Sequence, residues 1–288
     1  MQLRQGFRIW VVAVGFLMLL GTLPSAVTAA DPSPGPDPRQ VITRLGDQPP
    51  AAAPLAANAS TLQSFRFTAQ GRLTMPGESG EISLAMKGEC ATPDRLHATV
   101  TLTLRDKSSN DSLGPLELVV IGKTPYVHLT GDLSPTGKDI WVLIDNPDGT
   151  GSFPMTMLPN FASLPPVSTQ TQTLADETIN GTLTTHMRTT VDATALFSGG
   201  AKNAKPSTLT VDTWTGKSDN FPRRVGINGG LTIDPAALAS LVGGSASDFS
   251  GKPVTLALAL TIDFSDLNAP VTVNAPTTFV KLSDVLKE

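Results

Sequence analysis

Residues 93–105 read PDRLHATVTLTLR, residues 115–129 read PLELVVIGKTPYVHL, and residues 140–145 read IWVLID. In residues 96–104, leucine, alanine and valine alternate with histidine and threonine. A period of two residues is typical of a β-strand with one buried face. Gly122 begins a Gly-Lys-Thr-Pro turn that predicts a hairpin within the second stretch. The three stretches therefore predict an antiparallel sheet.

The same alternation recurs on both sides of this region. It predicts further strands at residues 64–75, 82–86, 172–179, 183–191, 209–214, 223–233 and 254–264. Helices are expected at 235–242, where Asp-Pro suits a helix start, and around 282–287, with at most a short helical turn at 39–45. About ten strands with a few short helices make the fold class mainly β (α+β), with a sheet large enough to curl.

The first 30 residues have the organisation of a secretory signal. Arg4 and Arg8 precede an apolar run at 9–23, and small residues at 25–30 suit cleavage by a signal peptidase. The run is short for a membrane-spanning helix of about 20 residues, and an uncleaved N-terminal anchor is the alternative. No cysteine lies near the cleavage site, so there is no lipidation box. We expect export across the cytoplasmic membrane to a periplasmic, cell-envelope or extracellular location.

Three regions follow along the chain. After the signal peptide at 1–30, residues 31–60 form a linker that is rich in proline and alanine. Its prolines prevent a sustained helix and favour an extended spacer. Residues 61–288 are predicted to form a single domain, because about 230 residues is within the range of single all-β domains.

The composition and the local motifs exclude several classes of function. With 21 basic and 25 acidic side chains, a net charge of −4 and no basic run, the chain offers nucleic acid little to bind. Cys90 is the single cysteine, so we expect a small buried side chain and no intramolecular disulfide. No P-loop, dinucleotide fingerprint, G-x-S-x-G elbow or H-E-x-x-H motif is present, and we expect no cofactor.

The histidines and tryptophans are the remaining candidates for a polar site. His97, His128 and His186 are separated by long and irregular spacings without a cysteine or glutamate cluster, so we expect polar-face histidines and no metal site. Trp141 and Trp214 suit either a ligand site or a packed sheet core. An unrecognised hydrolase is an open alternative, because a catalytic triad can be assembled from distant residues.

Five segments, taken in their order and spacing, resemble one protein family. They are PDRLHATVTL (93–102), LELVVIGKTPYVHL (116–129) with Trp141 after it, INGTLTTHMRTTVDATAL (179–196), VDTWTGKSDNFPRRVGINGGLTI (211–233) and TIDFSDLNAPVTVNAP (261–276). Together they resemble the LppX/LprAFG family of exported lipoproteins, which is related in fold to the LolA lipoprotein carrier. The resemblance covers roughly residues 64–276.

The resemblance implies a curved antiparallel half-barrel, with a few short helices on its concave side and an apolar cavity there for lipid acyl chains. The alternating strands fit this expectation, because burying their apolar face against acyl chains would contribute about 25 cal/mol per Å². The sequence leaves open which face is concave, so the apolar face is either core or the wall of a lipid site. The chain departs from the family in lacking a lipidated cysteine after the signal and in having a proline-rich region before the first strand.

We predict a non-enzymatic protein of the cell envelope that binds and transports a lipid or a lipoprotein acyl chain. Its expected partners are this ligand and a membrane surface, but no nucleic acid. The alternative is an envelope sensor or protein-interaction module with an envelope protein partner. The predicted lipid-binding residues are Leu102, Leu104, Leu118, Val120, Leu183, Met187, Leu256, Leu258 and Leu260 on the strands, with Phe153, Met155, Met157 and Phe161 in a flexible apolar lid.

Overall fold

The computed structural model describes residues 62–74, 80–105, 110–134, 137–145, 168–192, 207–233 and 254–285. These ranges contain thirteen strands, all in one sheet. The strands are β1 (Ser64–Thr74), β2 (Glu81–Ala91), β3 (Arg95–Arg105), β4 (Asn110–Ile121), β5 (Thr124–Leu129), β6 (Ile140–Leu143), β7 (Ser168–Thr173), β8 (Glu177–Ile179), β9 (Thr182–Asp192), β10 (Thr208–Gly216), β11 (Pro222–Ile233), β12 (Val254–Ser265) and β13 (Val280–Lys281).

The strand order is β13-β6-β5-β4-β3-β2-β1-β12-β11-β10-β9-β7, with β8 also paired to β9. β1 lies at the centre, between β2 and β12, and joins two runs of neighbouring strands. All pairings are antiparallel except that of β13 with β6. The predicted fold class is confirmed: the described residues form one open, curved, mainly antiparallel sheet with very little helix.

The alternation of apolar and polar residues gives the sheet two faces with different side chains. In β1, Phe65, Phe67 and Ala69 are buried, whereas Arg66 and Thr68 between them are exposed. The pairing register carries this division to the neighbouring strands, since residues directly opposite each other share a face. We call the side of the sheet that carries Phe67 the apolar face and the side that carries Thr68 the polar face.

The C-terminal residues cross the polar face. Residues 266–281, which we call the C-terminal strap, place Val273 on Val119 and Tyr126 in a second apolar cluster. The Arg95 guanidinium donates a hydrogen bond to the Val273 carbonyl at 3.0 Å, and the ring of Phe279 meets that of Tyr126 edge-on at 5.3 Å. The strap ends as β13 beside β6.

The predicted C-terminal helix is present as α1 (Leu282–Val285). The Asp145 carboxylate accepts hydrogen bonds from the Ser283 backbone N–H at 2.9 Å and its hydroxyl at 2.6 Å. These bonds lower the pKa of Asp145. The helix predicted at 235–242 and the turn predicted at 39–45 lie outside the described residues.

The strand predicted at 172–179 is wrong in its bounds. The structure has two strands there, β7 and β8, and both pair with β9. Between them the Leu174 N–H donates to the His186 carbonyl, and Asp176 forms an ion pair with Lys217. In the described part of the chain, no helix is long and apolar enough to cross a membrane.

Candidate functional site

The apolar face is one continuous surface. Its buried side chains come from strands on both sides of β1, for example Leu102 in β3, Leu118 in β4 and Leu260 in β12. All described strands lie in the one sheet, so no second described sheet packs on this face. The described helical residues are a 3-10 turn at Gly131–Leu133 and α1, which are too short to cover it.

The apolar face also retains accessible area. Ile82, Met86, Leu116 and Val127 pack against the buried cluster and are only partly buried themselves. Ile82 lies opposite the half-buried Leu104, and Met86 lies opposite Val100, which in turn faces Leu116. These partly exposed apolar side chains therefore lie on four neighbouring strands, β2, β3, β4 and β5.

The structure distributes the predicted lipid-binding residues over three environments. Buried in the apolar cluster are Leu102, Leu118, Val120, Leu256, Leu258 and Leu260. Leu104 and Met187 are half-buried on strands of the same sheet, and Leu183 is 52% exposed. The predicted lid residues Phe153, Met155, Met157 and Phe161 lie outside the described residues.

A cluster of paired polar side chains lies on the polar face at β8, β9 and β10, with His186 and Asp212 buried and Glu177 and Arg188 partly exposed. The ring nitrogens of His186 lie 2.8 Å from Glu177 Oε1 and 2.8 Å from Asp212 Oδ1. Arg188 donates to both oxygens of Asp212, at 2.8 and 3.2 Å, and these contacts raise the pKa of Arg188. The His186 ring stacks on Trp214 at 4.2 Å. Since carboxylates occupy both ring nitrogens, neither is free to act as a general base.

A similar arrangement lies on the same face at β3 to β6. The Glu117 carboxylate lies between two imidazoles, 2.7 Å from His97 Nε2 and 3.4 Å from His128 Nδ1. His128 stacks on Trp141 with ring centroids 4.8 Å apart. A cavity of about 220 Å³ lies here under the C-terminal strap, and Val273 is among its lining residues. Trp141 and Trp214 thus lie on the polar face, each stacked on a histidine.

Sequence reasoning correctly placed the three histidines on the polar face, but it missed their carboxylate partners. Glu117 pairs directly with His128, and Asp212 is the cross-strand partner of Arg188. The partners are far apart in the chain and close only through strand register. A hairpin alignment of β4 with β5 could have shown the Glu117 contact, because the Gly122 turn fixes that register.

The remaining reactive side chain is buried. Cys90 is 2% exposed and has a free thiol. Burial and the nearby charge of Asp94 raise the pKa of this thiol to about 12. Within the described residues, no group of three or more histidine, cysteine, aspartate or glutamate side chains is placed to hold a metal ion.

Comparison with known proteins gives structural matches alone. No family model matches the chain, and no curated protein matches its sequence. LprF from Mycobacterium bovis is 13% identical, with a TM-score of 0.43 over 77% of this chain and 93% of that chain. The lipoprotein LppX from Mycobacterium tuberculosis is 18% identical, with a TM-score of 0.38 over 76% of this chain and 94% of that chain. The names of both proteins are part of the name of the LppX/LprAFG family, which the sequence resembles.

Proposed function

We propose that this protein is a non-enzymatic carrier that binds the acyl chains of a lipid or lipoprotein on the apolar face of its sheet. The observation that carries the proposal is the continuous apolar face, over which the described residues place neither a second sheet nor a layer of helices. An acyl chain would remove the remaining apolar area from water, which contributes about 25 cal/mol per Å².

The partly exposed apolar side chains on β2 to β4 suit the first contact with a ligand. Met86 is adaptable in shape, and Ile82, Leu104 and Leu116 add aliphatic surface beside it. The predicted wall of the site consists of the buried aliphatic residues together with Met187 and Leu183 on β9. The buried residues are Leu102, Leu118, Val120, Leu256, Leu258 and Leu260.

The proposed site also includes a predicted lid, which lies outside the described residues. Residues 146–167 connect β6, next to one edge of the sheet, with β7 at the other edge. The predicted lid residues Phe153, Met155, Met157 and Phe161 belong to this connection. Export by the signal at 1–30, the linker at 31–60 and the single domain at 61–288 remain predictions.

Lipid retention tests the proposal. The purified full chain is extracted with organic solvent and analysed by mass spectrometry, and the delipidated protein is then titrated with a fluorescent fatty acid. We expect co-purified lipid and saturable binding. Leu104→Gln should weaken binding by about fivefold to tenfold, because losing roughly 50 Å² of apolar contact costs about 1 kcal/mol.

Thr99→Gln is the matched control, since Thr99 lies on the same strand as Leu104 but on the opposite face. It should bind the fatty acid as the unmodified protein does. A folded protein that carries no lipid and binds no fatty acid would overturn the carrier function and favour a protein-interaction module. Equal weakening by both variants would place the ligand elsewhere than the apolar face.

A further inference from the structure

The polar face contains a groove on the side of the sheet opposite to the proposed acyl-chain site. Its volume is about 580 Å³, and it crosses four neighbouring strands, β3, β2, β1 and β12, with Arg224 of β11 at its end. The C-terminal strap packs on Val119 and Tyr126, in β4 and β5. The groove is therefore a feature separate from the cavity under the strap.

The pairing register places the side chains on the floor of the groove in rows that run across the strands. Gln70 lies opposite Ala85 on one side and Thr261 on the other, and Ala85 in turn lies opposite Thr101. In the next row, Arg72 is flanked in the same way by Ser83 and Ala259, with Thr103 beyond Ser83. The short side chains of Ala85 and Ala259 leave a depression between longer neighbours.

The floor offers many unused polar groups. The hydroxyls of Thr68, Thr101, Thr103 and Thr261 and the amide of Gln70 make no hydrogen bond to another described residue. Each hydroxyl can both donate and accept a hydrogen bond, and the amide does so through two separate atoms. A ligand that also donates and accepts from neighbouring atoms would satisfy these groups in pairs.

The two arginines that line the groove each lie near a carboxylate. Arg224 donates to Asp263 at 2.6 Å at one end, and Arg72 lies 3.5 Å from Glu81. These carboxylates weaken the attraction of Arg72 and Arg224 for an anionic ligand. No aromatic ring lines the groove, and polar atoms make up about half of its surface, so it does not suit a second acyl chain.

From this combination we propose that the groove binds a neutral, polyhydroxylated ligand, a sugar chain whose hydroxyls pair with the threonine hydroxyls and the Gln70 amide. A sugar carries donors and acceptors on adjacent atoms and no net charge, which matches the floor in both respects. The ligand lies on the face opposite to the proposed acyl-chain site, and the inference does not rest on that site.

Binding of neutral oligosaccharides by the full chain tests this inference. Hexasaccharides of glucose, mannose and galactose are titrated while backbone amide shifts are followed by NMR, with inorganic phosphate as an anionic comparison. Vesicles of digalactosyl diacylglycerol, against vesicles of phosphatidylcholine, distinguish a glycolipid headgroup from a free glycan. We expect at least one sugar probe to bind with shifts confined to β1, β2, β3 and β12, and phosphate to leave these shifts unchanged.

Two groove variants and one control make the result specific. Thr101→Val with Thr261→Val removes two hydroxyls without changing side-chain shape and should weaken sugar binding about tenfold. Ala85→Tyr fills the depression and should abolish binding. Thr210→Val, on the polar face of β10 outside the groove, should have no effect. Failure of every sugar probe, or equal loss in the Thr210→Val control, would overturn the inference, whereas fatty-acid binding would be unaffected by either result.

Discussion

At the residue scale, we expect the stability of the fold to depend on one buried carboxylate, that of Asp212. Asp212 is 4% exposed and accepts hydrogen bonds from His186 and Arg188. Removing the charge of Asp212 leaves Arg188 without its carboxylate partner and leaves His186 with Glu177 alone, and the loss of a partner is costly for a buried polar group. Arg188 reaches solvent, which lowers that cost, whereas His186 does not.

We therefore expect Asp212→Asn to lower the free energy of unfolding by about 2 to 3 kcal/mol in urea denaturation. Asp266→Asn is the matched control, because its ion pair with Arg66 is exposed on both sides. The control should change stability by less than about 0.5 kcal/mol. Equal effects of the two substitutions would contradict a structural role for the His186 cluster.

Cys90 gives a second prediction at this scale. Its thiol lies on the apolar face opposite Phe65, and the raised pKa of about 12 keeps it protonated near neutral pH. Iodoacetamide at pH 8 should label the folded protein very slowly and the urea-unfolded protein rapidly, as followed by mass spectrometry. In a Cys90→Ala background, Lys87→Cys on the exposed face of the same strand should be labelled at once. Rapid labelling of folded Cys90 would contradict its burial.

At the element scale, Gly88 is a position where close packing between strands requires the absence of a side chain. A Cβ atom on Gly88 in β2 would lie 2.5 Å from the His97 carbonyl oxygen and 2.9 Å from Phe67 Cζ. The first of these contacts is to backbone, which cannot rotate away. Gly88 therefore allows β1, β2 and β3 to approach while Phe67 lies over it.

Gly88→Ala should lower the free energy of unfolding by about 2 kcal/mol, the typical cost of overpacking. Gly230→Ala is the control, since a Cβ there would meet no atom within 4 Å. That substitution should be neutral or stabilising by about 0.5 kcal/mol, because alanine suits a strand better than glycine does. Urea denaturation of both variants measures the difference. A stable Gly88→Ala protein would show that β2 and β3 can shift apart.

Individual strands were largely predictable because alternation is a local property. The periods at 96–104 and 254–264 correspond closely to β3 and β12. The polar sequence at 168–173 has no apolar alternation, so it did not indicate β7, whose hydrogen bonds to β9 are what make it a strand. β13 is two residues long and exists through its pairing with β6.

At the scale of the whole molecule, β1 joins the two halves of the sheet. Its pairing with β12 brings together residues as distant as Arg66 and Asp266, 200 positions apart in the chain. The same pairing places Gln70 beside Thr261 and so completes the polar groove. Both proposed sites thus use the central strands, one on each face. This arrangement lets either face be altered by substitutions that leave the other side chains in place.

The local alternation of apolar and polar residues was sufficient to predict a mainly β chain, an apolar face and histidines on the polar side, because side-chain direction in a strand depends on position alone. The carboxylate partners of His186, the Trp214 stack and the rows of hydroxyls around Gln70 required the folded sheet. They arise where strands distant in sequence pair in a particular register, and that register depends on all the pairings of the sheet at once.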